Sequence, residues 1–214
     1  MPPGRGDGGG VLTAAFARWP IGIWVVVGAL LRLSFPSDFL FRYDEVHNLE
    51  YSLRVSREGE WVRHAWKSSI GIPNGPTFVY WLAAWTRWSL DPLVANLSVT
   101  FANVAALVLA IPFFRRILQG PGEAECALAL YATSPVAIWY SRKIWDPCLL
   151  PLFTVPALAL AIRVLQSEKS RAVFWIPPLL ALAIQAHQSA LFFAAALGAT
   201  LLSAGRRIAL GWLA

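Results

Sequence analysis

Six apolar runs separated by more polar segments dominate this sequence of 214 residues. Several of them approach the ~20 apolar residues that a helix needs to cross a bilayer. Charged residues make up only 14% of the chain, against about 25% in a typical soluble domain, so the chain cannot cover itself with polar surface in water. The pattern predicts an all-α, polytopic membrane helix bundle. The runs are residues 19–35, 76–90, 92–114, 124–140, 147–165 and 173–203.

Basic clusters at the ends of these runs predict their orientation, because short loops rich in Lys and Arg stay cytoplasmic. If all clusters are cytoplasmic, each interval between them holds an even number of crossings. The short run 76–90 is then a re-entrant or membrane-surface helix on the outside, within a large first outer loop of residues 36–91. Run 173–203 is a hairpin turning at 185–189, with a single steeply tilted helix as the alternative. The clusters are Arg5 with Arg18, Arg115 with Arg116, Lys169 with Arg171, and Arg206 with Arg207.

The topology that follows is a multi-pass protein of the cell membrane with about six transmembrane helices and both termini cytoplasmic. Residues 1–18 are predicted to be a disordered cytoplasmic N-terminus, and residues 19–214 the transmembrane domain. The net charge of +6 and pI of about 9.8 would suggest nucleic acid in a soluble protein. Here the basic residues mark topology, so no nucleic-acid partner is expected. No disulfide is expected between Cys126 and Cys148, which lie at opposite ends of predicted segments.

Two adjacent carboxylates, Asp44 and Glu45, open the first candidate site. At a membrane surface they could supply a general base, a metal ligand or both. The structural alternative is a helix start, where acidic side chains complement the helix dipole. An apolar stripe of Val46, Leu49 and Leu53 predicts that this helix lies in the membrane plane.

Two further polar groups fall in predicted outer turns. Arg142 and Lys143 beside Asp146 could hold a phosphate together with a metal or acceptor group. Their alternative role is to anchor a helix end at the lipid headgroups. His187 lies among polar residues within a long apolar run, where either a binding site or a plain polar turn would explain it. Arg32, near the end of the first run, is expected to snorkel toward the membrane surface.

The order of these features resembles the N-terminal half of the integral-membrane glycosyltransferases of the GT-C type. The resemblance is in particular to the family 39 branch of protein-O-mannosyltransferases and lipid A aminoarabinose transferases, and it covers most of the chain from Trp19 onward. The matching features are an apolar anchor ending in Arg32-Leu33, the Asp44-Glu45 pair, the segment 74–81, the basic pair Arg115-Arg116, and Ser134-Pro135 followed by Tyr140-Ser141-Arg142 and Asp146.

This resemblance implies a glycosyltransferase that moves a sugar from a polyprenyl-phosphate donor to an acceptor hydroxyl on the outer face of the membrane. Asp44 would act as base or acceptor ligand, with Glu45 beside it. Arg142 and Lys143 would face the lipid phosphate. Asp146 would position a metal or the acceptor, and His187 would assist in binding donor or acceptor. A divalent Mg or Mn ion would be held by Asp44 and Asp146.

The resemblance also carries expectations about further parts of the protein. Its members usually have more membrane helices, often followed by an outer soluble domain, so the chain is expected to be C-terminally truncated and incomplete as an enzyme. The partners expected are a polyprenyl-phosphate sugar, membrane lipid and an unidentified acceptor. Two other interpretations of the function remain open: a non-catalytic membrane scaffold, and a lipid or sugar transporter subunit. Transporters place ionisable groups near the bilayer midplane, whereas the strongest ones here fall near the predicted surface.

Overall fold

A computed structural model of the chain describes residues 20–38, 41–68, 71–166 and 171–204. Within these segments the protein is all-helical, which confirms the all-α part of the prediction. The predicted disordered N-terminus and five of the basic residues used for orientation (Arg5, Arg18, Lys169, Arg206 and Arg207) lie outside the described residues. The helices are α1 Ile21–Leu33, α2 Tyr43–Glu58, α3 Thr77–Thr86, α4 Pro92–Ile117, α5 Glu123–Thr133, α6 Pro135–Tyr140, α7 Leu150–Gln166, α8 Ile176–Ala186 and α9 Ala190–Ala204, with 3₁₀ turns at Asp146–Leu149 and Arg171–Trp175.

Two helical stretches are long and apolar enough to cross a membrane: Pro92–Ile117, with 26 residues, and Asp146–Gln166, with 21. They pack against each other at the centre of the bundle. α4 starts sharply because the Asp91 carboxylate accepts a hydrogen bond from the Leu93 amide at 2.8 Å, and Pro92 occupies the first helical position. Three other apolar helical stretches are shorter, namely α1, Arg171–Ala186 and α9.

In helix α4 the distribution of side chains is the reverse of that in a helix of a water-soluble protein. Its buried face carries polar residues, while large apolar residues such as Phe101, 53% exposed, point away from the protein. The buried polar groups bind the segment that follows α6. The Thr100 hydroxyl donates to the Ser141 carbonyl at 3.0 Å, and the Asn103 amide donates to the Cys148 carbonyl at 2.9 Å. The polar face of α4 therefore fixes the position of segment 141–149.

The apolar run 124–140 is two helices, α5 and α6. Pro135 has no amide hydrogen to continue α5, and the Ser134 hydroxyl accepts from the Ala137 amide to start α6. The carbonyls freed at the end of α5 receive the guanidinium of Arg32, at 2.8 Å from Ala132 O and 3.3 Å from Tyr131 O. The expectation that Arg32 snorkels outward is wrong: its side chain is only 1% exposed. These carbonyl partners replace the water that a surface position would have offered.

The run 76–90 forms the short helix α3, which at ten residues spans roughly 15 Å and is too short to cross a bilayer. Its Phe78 and Leu82 side chains are fully buried between α2 and α4. The predicted apolar stripe of α2 is wrong in part, because Val46 is exposed while Leu49 is buried. The buried face of α2 is instead largely polar, formed by Glu45, Asn48, Leu49 and Ser52.

The run 173–203 is broken at residues 187–189 into α8 and α9, which pack against each other and against α7. The alternative of one tilted helix is therefore wrong, and the break falls at the polar segment that predicted it. A separate core joins α2, α3 and α4 to the 3₁₀ turn Asp146–Leu149 through Leu49, Phe78, Leu82, Val99, Ile144 and Leu149. This core holds the first loop against segment 141–149 and so determines the geometry of the candidate site.

Candidate functional site

The two adjacent carboxylates at the start of α2 have different environments. Glu45 is buried, and its carboxylate accepts a hydrogen bond from the Arg42 amide at 3.1 Å. This contact caps the helix, as the structural alternative predicted for this position. Asp44 is exposed. Of the pair, Asp44 is the carboxylate that can reach a molecule outside the protein.

Asp146 lies in the first residue of a 3₁₀ turn and is only 4% exposed. Burial raises the pKa of the Asp146 carboxyl group to about 7, and the charge of Asp44 adds a smaller rise. Glu45, Lys143 and Asp146 likewise all act on the Cys148 thiol. Carboxylates from two separate loops thus converge on one place.

The free thiols of Cys126 and Cys148 confirm that no disulfide joins them.

The residue that holds Asp146 is Asn74, whose side-chain amide donates a hydrogen bond to the Asp146 carboxylate. Asn74 is itself fixed by backbone hydrogen bonds, accepting from the Ala65 amide at 2.8 Å and donating to the Trp66 carbonyl at 3.3 Å. Its Oδ1 is buried and has no hydrogen-bond partner within the described segments. Asn48 ties α2 to the same region, donating to the Ile144 carbonyl at 3.3 Å.

Sequence reasoning did not assign a site role to either asparagine. Asn74 falls in the turn-rich stretch 71–76, where asparagine is an ordinary turn residue. Asn48 lies on a helix whose apolar spacing suggested a membrane-facing surface. The burial of Asn48, which would have indicated a polar contact partner, depends on residues distant in sequence and could not be read from α2 itself.

A third segment approaches the same place through the close contact of Gly75 with Gln185, at the end of α8. A Cβ atom on Gly75 would lie 2.6 Å from the Cα atom of Gln185, so only glycine allows the two backbones to approach this closely. Two residues further on, His187 Nδ1 lies 2.7 Å from the Ser189 hydroxyl. Burial lowers the pKa of His187 below its ordinary value. His187 is therefore neutral at pH 7 and offers a hydrogen bond but no charge.

The two basic residues of segment 141–149 point to different partners. Arg142 donates to the Ser34 carbonyl at 2.9 Å, and its buried Nε has no hydrogen-bond partner among the residues described. The Lys143 ammonium lies 3.4 Å from the centre of the Trp139 ring, with the rings of Tyr140 and Trp145 at 5.7 Å and 5.6 Å. Arg142 retains a free donor, whereas Lys143 is held by aromatic rings.

A cavity of about 310 Å³ is lined in part by Pro147 and Cys148, the residues that follow Asp146 in its 3₁₀ turn. Its walls are mostly apolar side chains of segment 147–151 and of helices α6, α7 and α9. The polar groups at its border include Asn103, Tyr140 and Ser189. The cavity could accept an apolar chain whose polar end reaches Asp146 and His187.

The described residues contain no group of three or more His, Cys, Asp and Glu side chains that could hold a metal ion. The oxygen atoms that converge are the carboxylates of Asp44 and Asp146 and the unpaired Oδ1 of Asn74. Oxygen donors of this type suit Mg²⁺ or Mn²⁺, with water completing the coordination shell. The donor set is therefore compatible with the expected metal.

An exposed carboxylate whose charge acts on a buried one can take a proton from a hydroxyl, and a guanidinium with an unpaired donor can hold an anionic group. The acids that would do this are Asp44 and Asp146, and the guanidinium is that of Arg142. Comparison of the chain with family models, curated proteins and solved structures finds no match.

Proposed function

We propose that this protein is a membrane glycosyltransferase of the GT-C type, which transfers a sugar from a polyprenyl-phosphate donor to an acceptor hydroxyl at the outer face of the membrane. The observation that carries the proposal is that exposed Asp44 acts electrostatically on the buried carboxyl group of Asp146. These residues come from the two loops that the resemblance pairs in the transferases. Both lie at the ends of helices, where the polar head of a lipid-linked sugar would be.

The membrane location is supported by α4, whose polar residues are buried while Phe101, Val108 and Leu109 are exposed. In water this arrangement would be unfavourable, but in lipid it places apolar side chains against acyl chains and lets polar groups pair between helices. Residues on other helices repeat the pattern, including Leu30, Leu130, Phe192 and Leu202. In the proposed topology the six crossings are α1, α4, α5 with α6, α7, the stretch Arg171–Ala186 that includes α8, and α9, and both termini are cytoplasmic.

In the proposed reaction, the Asp44 carboxylate accepts the proton of the acceptor hydroxyl as its oxygen attacks the anomeric carbon of the donor sugar. The bond between that carbon and the phosphate oxygen breaks, and polyprenyl phosphate leaves with the electron pair. General-base assistance of this kind contributes about 10²- to 10⁴-fold to a rate. Asp146, held by Asn74, orients the acceptor from the opposite loop. Glu45 acts through the helix cap that fixes Asp44.

The leaving phosphate requires cations at fixed positions, since charge develops on it as the bond breaks. Arg142 supplies the free Nε donor. Lys143 would have to leave the ring of Trp139 to reach the phosphate, and neutral His187 would contribute a hydrogen bond. The first isoprene units of the donor's lipid chain would enter the apolar cavity lined by Pro147 and Cys148. An Mg²⁺ or Mn²⁺ ion bound by Asp44 and Asp146, where the enzyme uses one, would neutralise phosphate charge.

The transporter alternative is less well supported, because the buried ionisable groups lie at helix ends. Arg32 is in the last turn of α1, Glu45 in the first turn of α2 and Asp146 at the start of the turn before α7. A scaffold derived from a transferase would share the fold but have no need of the exposed acid Asp44. Transfer activity distinguishes these alternatives.

The test is transfer of labelled sugar from polyprenyl-phosphate mannose, polyprenyl-phosphate glucose and polyprenyl-phosphate aminoarabinose to endogenous acceptors, in membranes containing the full natural protein. We expect transfer from one of these donors and a loss of about 10²- to 10⁴-fold in Asp44→Asn. Trp88→Ala, an exposed change at the far end of α3, is the control. Equal transfer by the wild type and Asp44→Asn would remove Asp44 from the mechanism, and absence of transfer from all three donors would contradict the proposal.

A further inference from the structure

Three aromatic rings form a cluster next to the exposed acid of the candidate site. The rings of His47 and Trp66 stack in parallel, with centroids 3.9 Å apart and an interplanar angle of 8°. Tyr43 meets both rings edge-on, at 4.3 Å from His47 and 5.6 Å from Trp66. Tyr43 is 64% exposed, so this ring offers free surface to a molecule outside the protein. We refer to Tyr43, His47 and Trp66 as the ring cluster.

The local structure places the ring cluster beside the carboxylates. His47 lies three residues after Asp44 on α2 and so shares a helix face with it, and Tyr43 joins that face through its ring contact with His47. Trp66 lies in a backbone pairing with Asn74, and the Asn74 side chain contacts Asp146. The cluster and the acid pair are thus linked through α2 on one side and through the 65–74 pairing on the other.

The polar atoms at this border have unused hydrogen-bonding capacity. Asn74 is 6% exposed and its buried Oδ1 has no hydrogen-bond partner within the described segments. Buried side-chain oxygens are normally paired, so the unpaired Oδ1 of Asn74, the residue that binds Asp146, indicates a missing donor. A ligand hydroxyl would supply that donor. Asp44 can accept a second hydroxyl nearby.

A molecule that matches both features has an apolar face and a rim of hydroxyl groups, which is the chemistry of a pyranose ring. Its C–H face packs on an aromatic ring, and its hydroxyls bond to carboxylates and amides. A cationic ligand would require rings that enclose a gap. His47 and Trp66 are stacked in contact and leave none. The three rings around Lys143 differ in this respect, because they already surround an ammonium.

We propose that the ring cluster is a saccharide-binding platform, on which a pyranose ring packs against Tyr43 with its hydroxyls directed to Asp44 and Asn74. The inference rests on the proposed function, because it assigns the sugar side of that site to the first loop. It adds that the first loop binds saccharide by ring stacking, independently of the lipid phosphate. A free glycoside without a lipid or phosphate should therefore bind.

The experiment is saturation-transfer difference NMR on the full chain in nanodiscs, with methyl α-mannopyranoside and methyl β-glucopyranoside as probes. We expect saturation to be strongest at the C–H protons of one face of the ring. Tyr43→Ala should weaken binding about threefold to tenfold, and Tyr43→Phe should keep it, since the ring and not the hydroxyl makes the contact. Trp88→Ala, an exposed aromatic removed at the other end of α3, is the matched control and should bind as the wild type.

Several results would overturn the platform. These are the absence of a signal from either glycoside, equal binding by Tyr43→Ala and the wild type, or displacement of the glycoside by millimolar tetramethylammonium. Failure of the proposed function alone would give a different result from failure of the platform. In that case glycosides bind in a Tyr43-dependent way, but no sugar is transferred from polyprenyl phosphate. Conversely, transfer that depends on Asp44 but not on Tyr43 would support the enzyme and reject the platform.

Discussion

Arg32 is a charged residue in an apolar helix whose partners are backbone carbonyls. Its guanidinium bonds to Gly28 O, Ala132 O and Tyr131 O, and its plane lies near the Tyr131 ring. The partners exist because the Ser134-Pro135 break leaves the end of α5 without amide donors. Arg32 thus stabilises the junction from which segment 141–149 departs.

Replacement of Arg32 by Met is expected to destabilise the protein by about 1–3 kcal/mol, because it leaves buried carbonyls without donors. Arg32→Lys should recover only part of this loss, since an ammonium cannot match the fork of the guanidinium. Thermal unfolding in nanodiscs, followed by circular dichroism, measures both. If Arg32→Met matched the stability of the wild type, the carbonyl contacts would have no structural role.

Asn74 acts on Asp146 directly, so its replacement should affect activity more than stability. In Asn74→Ala the buried carboxylate loses its amide donor, and we expect transfer to fall at least about tenfold while the protein remains folded. Asn74→Asp should lower transfer further, because it places a second carboxylate against that of Asp146. Transfer rate and unfolding temperature measured on the same preparations separate the two effects. Asn74→Ala with full transfer would show that Asp146 needs no such support.

At the scale of helices, Gly28 allows α1 to pack closely against α4 and α5. A Cβ atom on Gly28 of α1 would lie 2.6 Å from the Leu107 side chain and 3.0 Å from Ala132 Cβ. Gly22 on the same helix has nothing within 4 Å of such an atom. The two positions therefore form a matched pair on one helix.

We expect Gly28→Ala to destabilise the bundle by about 1–3 kcal/mol, because α1, α4 and α5 have no room for the methyl group. Gly22→Ala should be neutral or slightly stabilising, since alanine favours a helix. Unfolding in a denaturant series would compare the two variants. Equal effects at both positions would contradict the packing described for α1.

The existence and approximate extent of most helices could be predicted from the sequence because they depend on local apolar runs and on Pro, Ser and Gly signals. The polar break before Ala190 also could be predicted, since it interrupts an apolar run. The inward turn of Arg32 and the buried face of α2 could not, because both are determined by partners distant in sequence. For the site, the acids Asp44 and Asp146 could be selected from the sequence, but not the contact of Asn74 with Asp146. That contact depends on the 65–74 pairing, which has no clear sequence signal.

At the scale of the whole molecule, the proposed topology puts the first loop, segment 141–149 and the 187–189 turn on one side of the membrane. Single cysteines at Asp38 and at Gly120, in a Cys126→Ser background, should react with an impermeant maleimide from opposite sides of sealed cells. We expect labelling at residue 38 in intact cells, and at residue 120 only after lysis, because the Arg115-Arg116 pair favours a cytoplasmic location. Labelling of both in intact cells would contradict the six-crossing topology.

The central claim is that Asp44 and Asp146 form one catalytic site although they come from separate loops. A double-mutant cycle on the rate of sugar transfer tests this most directly, using Asp44→Asn, Asp146→Asn and the double variant. Groups that act as a unit lose little more together than the more damaging single change, so the double variant should transfer at nearly the rate of the weaker single variant. Losses that multiply, or a single variant with undiminished transfer, would show that the two acids do not work together.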